Sequence, residues 1–189
     1  MHETENPWTV TGQRPVYENP WISLTEYDVI HPGGGPGIYG KVHFRNLAVG
    51  IAALDVDEQL WLVGQYRFTI DRYSWEIPEG GCPEGTDPLA SARRELREET
   101  GLEAAGWEKI LEMHLSNSVS DEFGIVWLAT GLTQGRAEPE ETERLSLRKV
   151  PLHEAWRMVQ THQITDSLSV AAIQHLWIRR LQSTDQSQA

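Results

Sequence analysis

From Trp21 to Val29 the chain alternates two sets of positions, Trp21, Ser23, Thr25, Tyr27 and Val29 against Ile22, Leu24, Glu26 and Asp28. That period of two predicts a strand, with Lys41-Val42-His43-Phe44 as its returning partner. The intervening His31 to Gly37, HPGGGPG, reads as the hairpin connection. Its glycines lack the following Gly-Lys-Ser/Thr and the helix start that a phosphate loop requires. Further on, residues 47–56 and 59–66 read as strands joined by the acidic turn Asp55-Val56-Asp57-Glu58. The pattern then changes period: Leu89, Ala92 and Leu96 recur at helical spacing, with Asp87 as cap, Pro88 in the first turn and Gly101 as the stop. Residues 107–115, 123–132 and 145–150 return to strand signals, and residues 151–160 and 167–181 to helical ones. The last helix offers Leu168, Ala171, Ala172, His175, Leu176 and Ile178 for burial. Residues 183–189 are a polar tail, expected to be disordered. Strands with helices before and after them indicate a layered α/β fold, whose type spacing alone leaves open.

Composition narrows the function. A length of 189 residues suits one domain, or one domain with a small extension. The net charge of −12, from 28 acidic and 16 basic residues, argues against wrapping polymeric nucleic acid. Small anionic substrates stay compatible where metal and a few arginines neutralise them. Cys82 is the only cysteine, which excludes a disulfide framework and a cysteine-rich zinc site. The histidines show no close-spaced metal pair. No stretch reaches the length of a membrane span, and the polar N-terminus lacks the pattern of a leader, so the cytoplasm is the expected location and no membrane partner is expected.

The acidic positions of the 88–100 helix carry the chemistry. Glu95 and Glu99 lie one turn apart and Glu98 three residues from Glu95, so their carboxylates converge along one side. A solvated face salt-bridged by Arg93, Arg94 or Arg97 is one reading. The other is a cation site, because Trp75-Glu76-Ile77-Pro78-Glu79-Gly80-Gly81 turns the backbone just before the helix. Carboxylates with a nearby carbonyl are the hard oxygen donors that Mg²⁺ prefers when it also holds phosphate. Arg67, at the end of an apolar strand, suits bidentate phosphate contact or an ion pair. Tyr17, Trp21 and Tyr27 offer faces for a base, or for core and dimer contacts.

Gly80, followed by Arg94-Glu95-Leu96-Arg97-Glu98-Glu99-Thr100-Gly101-Leu102, resembles the signature of the Nudix hydrolases: Gly, five residues, Glu, seven residues, then Arg-Glu-U-X-Glu-Glu-X-Gly-U, with U bulky and aliphatic. One position departs, Thr86 in place of the first Glu, which implies altered support for Arg94 and the helix entrance. The resemblance implies an α/β/α sandwich with a mixed sheet over residues 47–182, preceded by an N-terminal antiparallel β extension over residues 1–46. Gln65-Tyr66-Arg67, Trp75 to Pro78, Ser120-Asp121-Glu122 and the Asp166 helix resemble the ADP-ribose and nucleoside diphosphate sugar pyrophosphatases of that family. Such relatives form homodimers, often with an exchanged N-terminal layer that also holds the base; Tyr17 and Trp21 are the expected contacts here.

The same resemblance implies Mg²⁺, with Mn²⁺ as a substitute, held by Glu95, Glu98, Glu99 and the backbone carbonyl of Glu79. The acidic run from Ala137 to Glu143 would supply the general base, Glu140 ahead of Glu141, with Glu143 as a metal or supporting partner. The implied reaction is hydrolysis of the pyrophosphate bond of a nucleoside diphosphate sugar to a nucleoside monophosphate and a sugar phosphate. Alternatives are a nucleoside triphosphate or dinucleoside polyphosphate hydrolase, and a non-catalytic sensor of ADP-ribose-type ligands.

Overall fold

The structure is a computed structural model that describes residues 5–135 and 144–186, with side chains through Ser183. The chain divides into two units. The first comprises Met1–Asn46 and His114–Glu122, and the second Leu47–Met113 and Phe123–Ala189.

In the first unit β1 (Thr9–Glu18), β2 (Ile22–Ile30) and β3 (Pro36–Phe44) form an antiparallel sheet in chain order. β2 and β3 meet across the expected hairpin: Ile30 faces Pro36, His31 N–H donates to Gly35 O at 3.0 Å, and Gly34 takes a φ of 84°. β1 is the strand that periodicity did not show. Gly12 and Pro15 interrupt its pattern, and the register against β2 shifts at both places, as bulges on an edge strand do. Residues 114–122, distant in sequence, complete this unit. Val42 N–H donates to Val119 O, and Asp121 N–H to Val42 O. The Asp121 carboxylate accepts Phe44 N–H at 3.1 Å, lies 2.8 Å from Lys41 Nζ and 2.8 Å from His43 Nδ1.

The second unit contains β4 (Asn46–Ala53), β5 (Gln59–Arg67), β6 (Arg72–Glu76), β7 (Glu79–Pro83), α1 (Pro88–Thr100), β8 (Leu102–His114), β9 (Phe123–Gln134), β10 (Ser146–Pro151), α2 (Leu152–Gln160) and α3 (Ser167–Gln186). One sheet runs β7-β4-β9-β8, with β4 parallel to β9; the other runs β10-β5-β6. β4 reads as a nearly continuous apolar run because both of its faces are covered. Val49, Ile51 and Ala53 share a core with Ala92 and Leu96 of α1, while a side chain at Gly50 would meet Leu168 of α3. Burying Leu96 alone contributes about 1.5–3 kcal/mol.

The local signals of α1 act as the sequence suggests. Asp87 accepts Leu89 N–H at 3.2 Å, and Gly101 closes the helix at φ 73° with its N–H on Arg97 O. β8 starts at Leu102, earlier than the expected 107, because the chain turns straight from Gly101 into the sheet. β6 and β7 replace what reads in sequence as one turn; the turn shrinks to Ile77-Pro78, whose Pro78 O accepts Ile51 N–H at 2.8 Å. α3 continues to Gln186, beyond the expected 181, and Arg179–Glu108 and Arg180–Glu58 ion pairs anchor its final turns. Trp156 and Trp177 stack between α2 and α3, 5.0 Å apart. No helix among the described residues is long and apolar enough to cross a membrane.

Candidate active site

The end of β5, the end of β6 and the start of β7 bring Arg67, Glu76 and Glu79 together. Arg67 Nε lies 3.0 Å from both Glu76 oxygens, and its Nη2 reaches Glu76 Oε2 and Glu79 Oε1 at 2.5 Å each. Glu76 is 3% exposed, so this pair is largely withdrawn from water. Burial pulls the Arg67 guanidinium toward neutrality, but the Glu76 hydrogen bonds and the charges of Glu79, Glu76 and Asp166 hold it above its usual range. Glu79 is pushed the other way. Burial, then the charges of Asp166 and Glu76, raise its carboxyl well above the ordinary range, against the opposing pull of Arg67. Its Oε2 is buried with no hydrogen-bond partner.

α1 enters this cluster through Glu99, which is 3% exposed and accepts Glu79 N–H at 3.1 Å. One turn earlier Glu95 lies over Gly80, where a Cβ would fall on its carboxylate. Gly80 is therefore required for close approach of β7 and α1 at this point. Arg94 donates to Glu98 Oε2 and Glu95 Oε1 at 2.6 Å each, and to Gly81 O at 3.1 Å. The salt-bridged face and the acidic site are thus the same side chains. Arg93 instead lies over the Trp107 ring, 5.8 Å from its centre.

Among the described residues no three His, Cys, Asp or Glu side chains converge as a ready metal cage. Glu95 and Glu98 turn to Arg94, and Glu99 to the Glu79 N–H. The donor set nonetheless fits a hard divalent cation. Arg67 pairs with Glu76 and Glu79 and Arg94 with Glu95 and Glu98, while Glu79 Oε2 is buried without a hydrogen-bond partner, an oxygen-rich set of the kind such a cation takes. Thr86 is exposed, its N–H on Pro83 O, while the contacts of Arg94 go elsewhere. Glu140, Glu141 and Glu143 lie outside the described residues.

The first unit holds a separate cavity of about 370 Å³, lined by Trp8, Tyr27, Tyr39, Lys41 and the 117–120 segment. Trp8 and Tyr39 meet edge to face at 5.5 Å, and Tyr39 Oη donates to Ser118 O at 2.7 Å. Of the expected base contacts, Tyr17 and Trp21 are 54% and 66% exposed and line no part of it. Sequence reading missed Tyr39, although pairing Ile30 with Pro36 across the turn sets Tyr27 directly opposite it. Trp8 and residues 117–120 carried no such signal.

A family model described as NUDIX domain matches residues 44–173, and one described as nucleoside diphosphate sugar hydrolase N-terminal domain matches residues 8–42. The ADP-ribose pyrophosphatase of Mycobacterium tuberculosis is 34% identical over 173 residues, covering 89% of this chain and 83% of that protein. The methanol dehydrogenase activator of Bacillus methanolicus is 33% identical over 134 residues, covering 70% of this chain and 72% of that protein. A crystal structure of ADP compounds hydrolase superposes with a TM-score of 0.81 over 92% of this chain and 95% of that one, at 20% identity, a likeness of fold.

Proposed function

We propose that this chain, which belongs to the Nudix family, is a pyrophosphatase that hydrolyses the pyrophosphate bond of nucleoside diphosphate sugars, with ADP-ribose as reference substrate. One observation carries the reading: a Nudix domain with its acidic helix intact follows a nucleoside diphosphate sugar hydrolase N-terminal domain in the same chain. Water adds to one phosphorus, the bridging oxygen leaves with the other phosphate, and the products from ADP-ribose are AMP and ribose 5-phosphate.

The family generally uses a divalent cation, and the oxygen-only donor set favours Mg²⁺, with Mn²⁺ as substitute. We assign it to Glu95, Glu98, Glu99 and the Glu79 carbonyl. A bound cation supplies charge neutralisation for the pyrophosphate and acidifies water. Arg94 holds the helix carboxylates beside β7, and Arg67, braced by Glu76, presents a guanidinium fixed for a phosphate oxygen. Removal of the water proton falls to the acidic segment, Glu140 ahead of Glu141.

Base recognition is assigned to the N-terminal unit, where Trp8, Tyr27 and Tyr39 supply the aromatic faces. The same unit exposes Val16, Tyr17, Trp21 and Ile38, which suits a homodimer contact, with exchange of the layer as its extended form. Light scattering and cross-linking of the intact protein test the dimer. Chromatography of ADP-ribose digests, with Mg²⁺ and with chelator, tests the activity. Metal-dependent AMP is the expected product, and tight binding without turnover would instead indicate a sensor.

A further inference from the structure

Glu58, in the turn between β4 and β5, occupies a backbone position that suits glycine. Its φ is 54°, in the left-handed region, where the turn closes with Glu58 N–H on Asp55 O and Asp55 N–H on Gln59 O, both at 3.1 Å. A glutamate held there is strained, and such strain gathers at ligand clamps. Its side chain meets the last turns of α3: Arg180 Nε donates to both Glu58 carboxylate oxygens, at 2.8 and 2.7 Å. Both partners are half-exposed, and an exposed ion pair contributes little to stability. Anchoring the helix end therefore does not by itself account for a strained glutamate.

The pair lines a cavity of about 450 Å³ in the second unit, a volume in the range of small-molecule sites. Leu54, Leu128, Leu152 and Leu176 give it apolar walls, three of them buried, while the charged groups of Glu58, Arg179 and Arg180 stay half-exposed at its rim. The Arg180 guanidinium is braced on a second side by the Trp177 ring, 5.3 Å from its centre, and Trp177 is itself stacked on Trp156. Arg179 is oriented by Glu108, whose two oxygens lie 2.9 Å from its Nη1. Among the described residues, none assigned to the acidic centre lines this cavity. Leucine walls beneath two fixed guanidiniums define an amphiphile with an anionic head, and Glu58 itself shows a carboxylate seated on Arg180.

We propose that this cavity binds a single-chain fatty carboxylate, its alkyl chain among the four leucines and its carboxylate in the place of Glu58 on Arg180. The site is independent of the reaction read above. Exchanging one carboxylate for another leaves the guanidinium paired throughout, so no charge is stranded, and burial of the alkyl chain supplies the driving force. The turn stays anchored through its backbone when the Glu58 side chain is displaced, because Glu58 O accepts Leu152 N–H at 2.9 Å.

Calorimetric titration of the full-length protein with sodium decanoate tests the site without turnover. Acetate, decanol and decyltrimethylammonium, which lack the chain, the charge and its sign in turn, should each bind at least about tenfold more weakly. Arg180→Gln is expected to weaken decanoate by roughly tenfold or more, the loss of a hydrogen bond to a charged group. Glu58→Gln should act the other way and tighten decanoate by about two- to fivefold, because it removes the competing carboxylate of an exposed ion pair. Arg180→Lys, which keeps the charge, should lose less than Arg180→Gln. Both side chains are exposed, and thermal melts check that each variant stays folded. Excess AMP should leave decanoate binding unchanged, which separates this cavity from a nucleotide site. Absent decanoate binding, equal binding of decanol, tighter binding of decyltrimethylammonium, unchanged affinity in Arg180→Gln, unchanged or weaker affinity in Glu58→Gln, or displacement by AMP would overturn the proposal.

Discussion

Gly80→Ala separates the chemistry of the acidic helix from its stability. The backbone at Gly80 is not in the left-handed region, so alanine is conformationally allowed and by itself contributes about 0.4–1 kcal/mol through the unfolded chain. The new Cβ, however, falls on the Glu95 carboxylate. An ordinary carbon–carbon approach is about 3.5 Å, and restoring it requires that carboxylate to withdraw by roughly 1.5 Å. The obstructing atoms are the far end of a flexible side chain, so the steric cost sits at the low end of about 1–3 kcal/mol. Melting should fall by no more than about 2–4 °C for a chain of this size. Activity is the sensitive readout, since a displacement of about 1 Å at a catalytic centre costs on the order of 10²-fold. Metal titrations of kcat and of half-saturation, alongside thermal melts, would check this. The double variant Gly80→Ala/Glu95→Gln should be no slower than Glu95→Gln alone, because both changes act on one carboxylate. Wild-type turnover and metal response in Gly80→Ala, or full additivity in the double variant, would refute the placement of Glu95.

Three further outcomes are expected. In the first unit, burial pushes the Asp121 carboxyl up, but hydrogen bonds from Lys41, His43 and Phe44 N–H reverse this and bring it to about 2. A depressed carboxylate stabilises the fold above its unfolded pKa of about 3.9, and that contribution fades as pH falls through about 2, so the stability gap between wild type and Asp121→Asn should be constant above about pH 5 and narrow below it in denaturant titrations. Leu96→Ala, at a fully buried core position, should cost about 2–5 kcal/mol by the same method. Glu140→Gln should lower kcat by about 10²-fold or more with the metal response retained; an unchanged rate removes Glu140 as the base.

How much of this was legible in the sequence depended on whether a signal was local. α1 was readable because Asp87, Pro88, the Ala92–Leu96 stripe and Gly101 all act within a few residues. β6 and β7 were not, because their identity comes from partners: Glu76 pairs with Val63, and β7 lies beside β4, while Pro78, Gly80 and Gly81 read as turn residues. The Arg67–Glu76–Glu79 cluster followed the same rule. Arg67 stood out as a strand-end cation, but the Glu76 and Glu79 side chains joined it only once the hairpin register was fixed. Asp121 belongs to residues 114–122, which return to the N-terminal unit from the far side of the signature helix. Of Tyr17, Trp21 and Tyr27, named for their aromatic faces, Tyr27 lines the cavity in that unit, and the other two rings there, Trp8 and Tyr39, come from stretches whose pairing the sequence pattern did not reveal.

The most direct test is a product balance for ADP-ribose incubated with the intact protein and Mg²⁺, with a chelator arm and a Glu99→Gln arm. Equimolar AMP and ribose 5-phosphate, lost in both control arms, is the expected result. Hydrolysis confined to nucleoside triphosphates, or no AMP at any metal concentration while ADP-ribose binds tightly, would contradict a nucleoside diphosphate sugar pyrophosphatase.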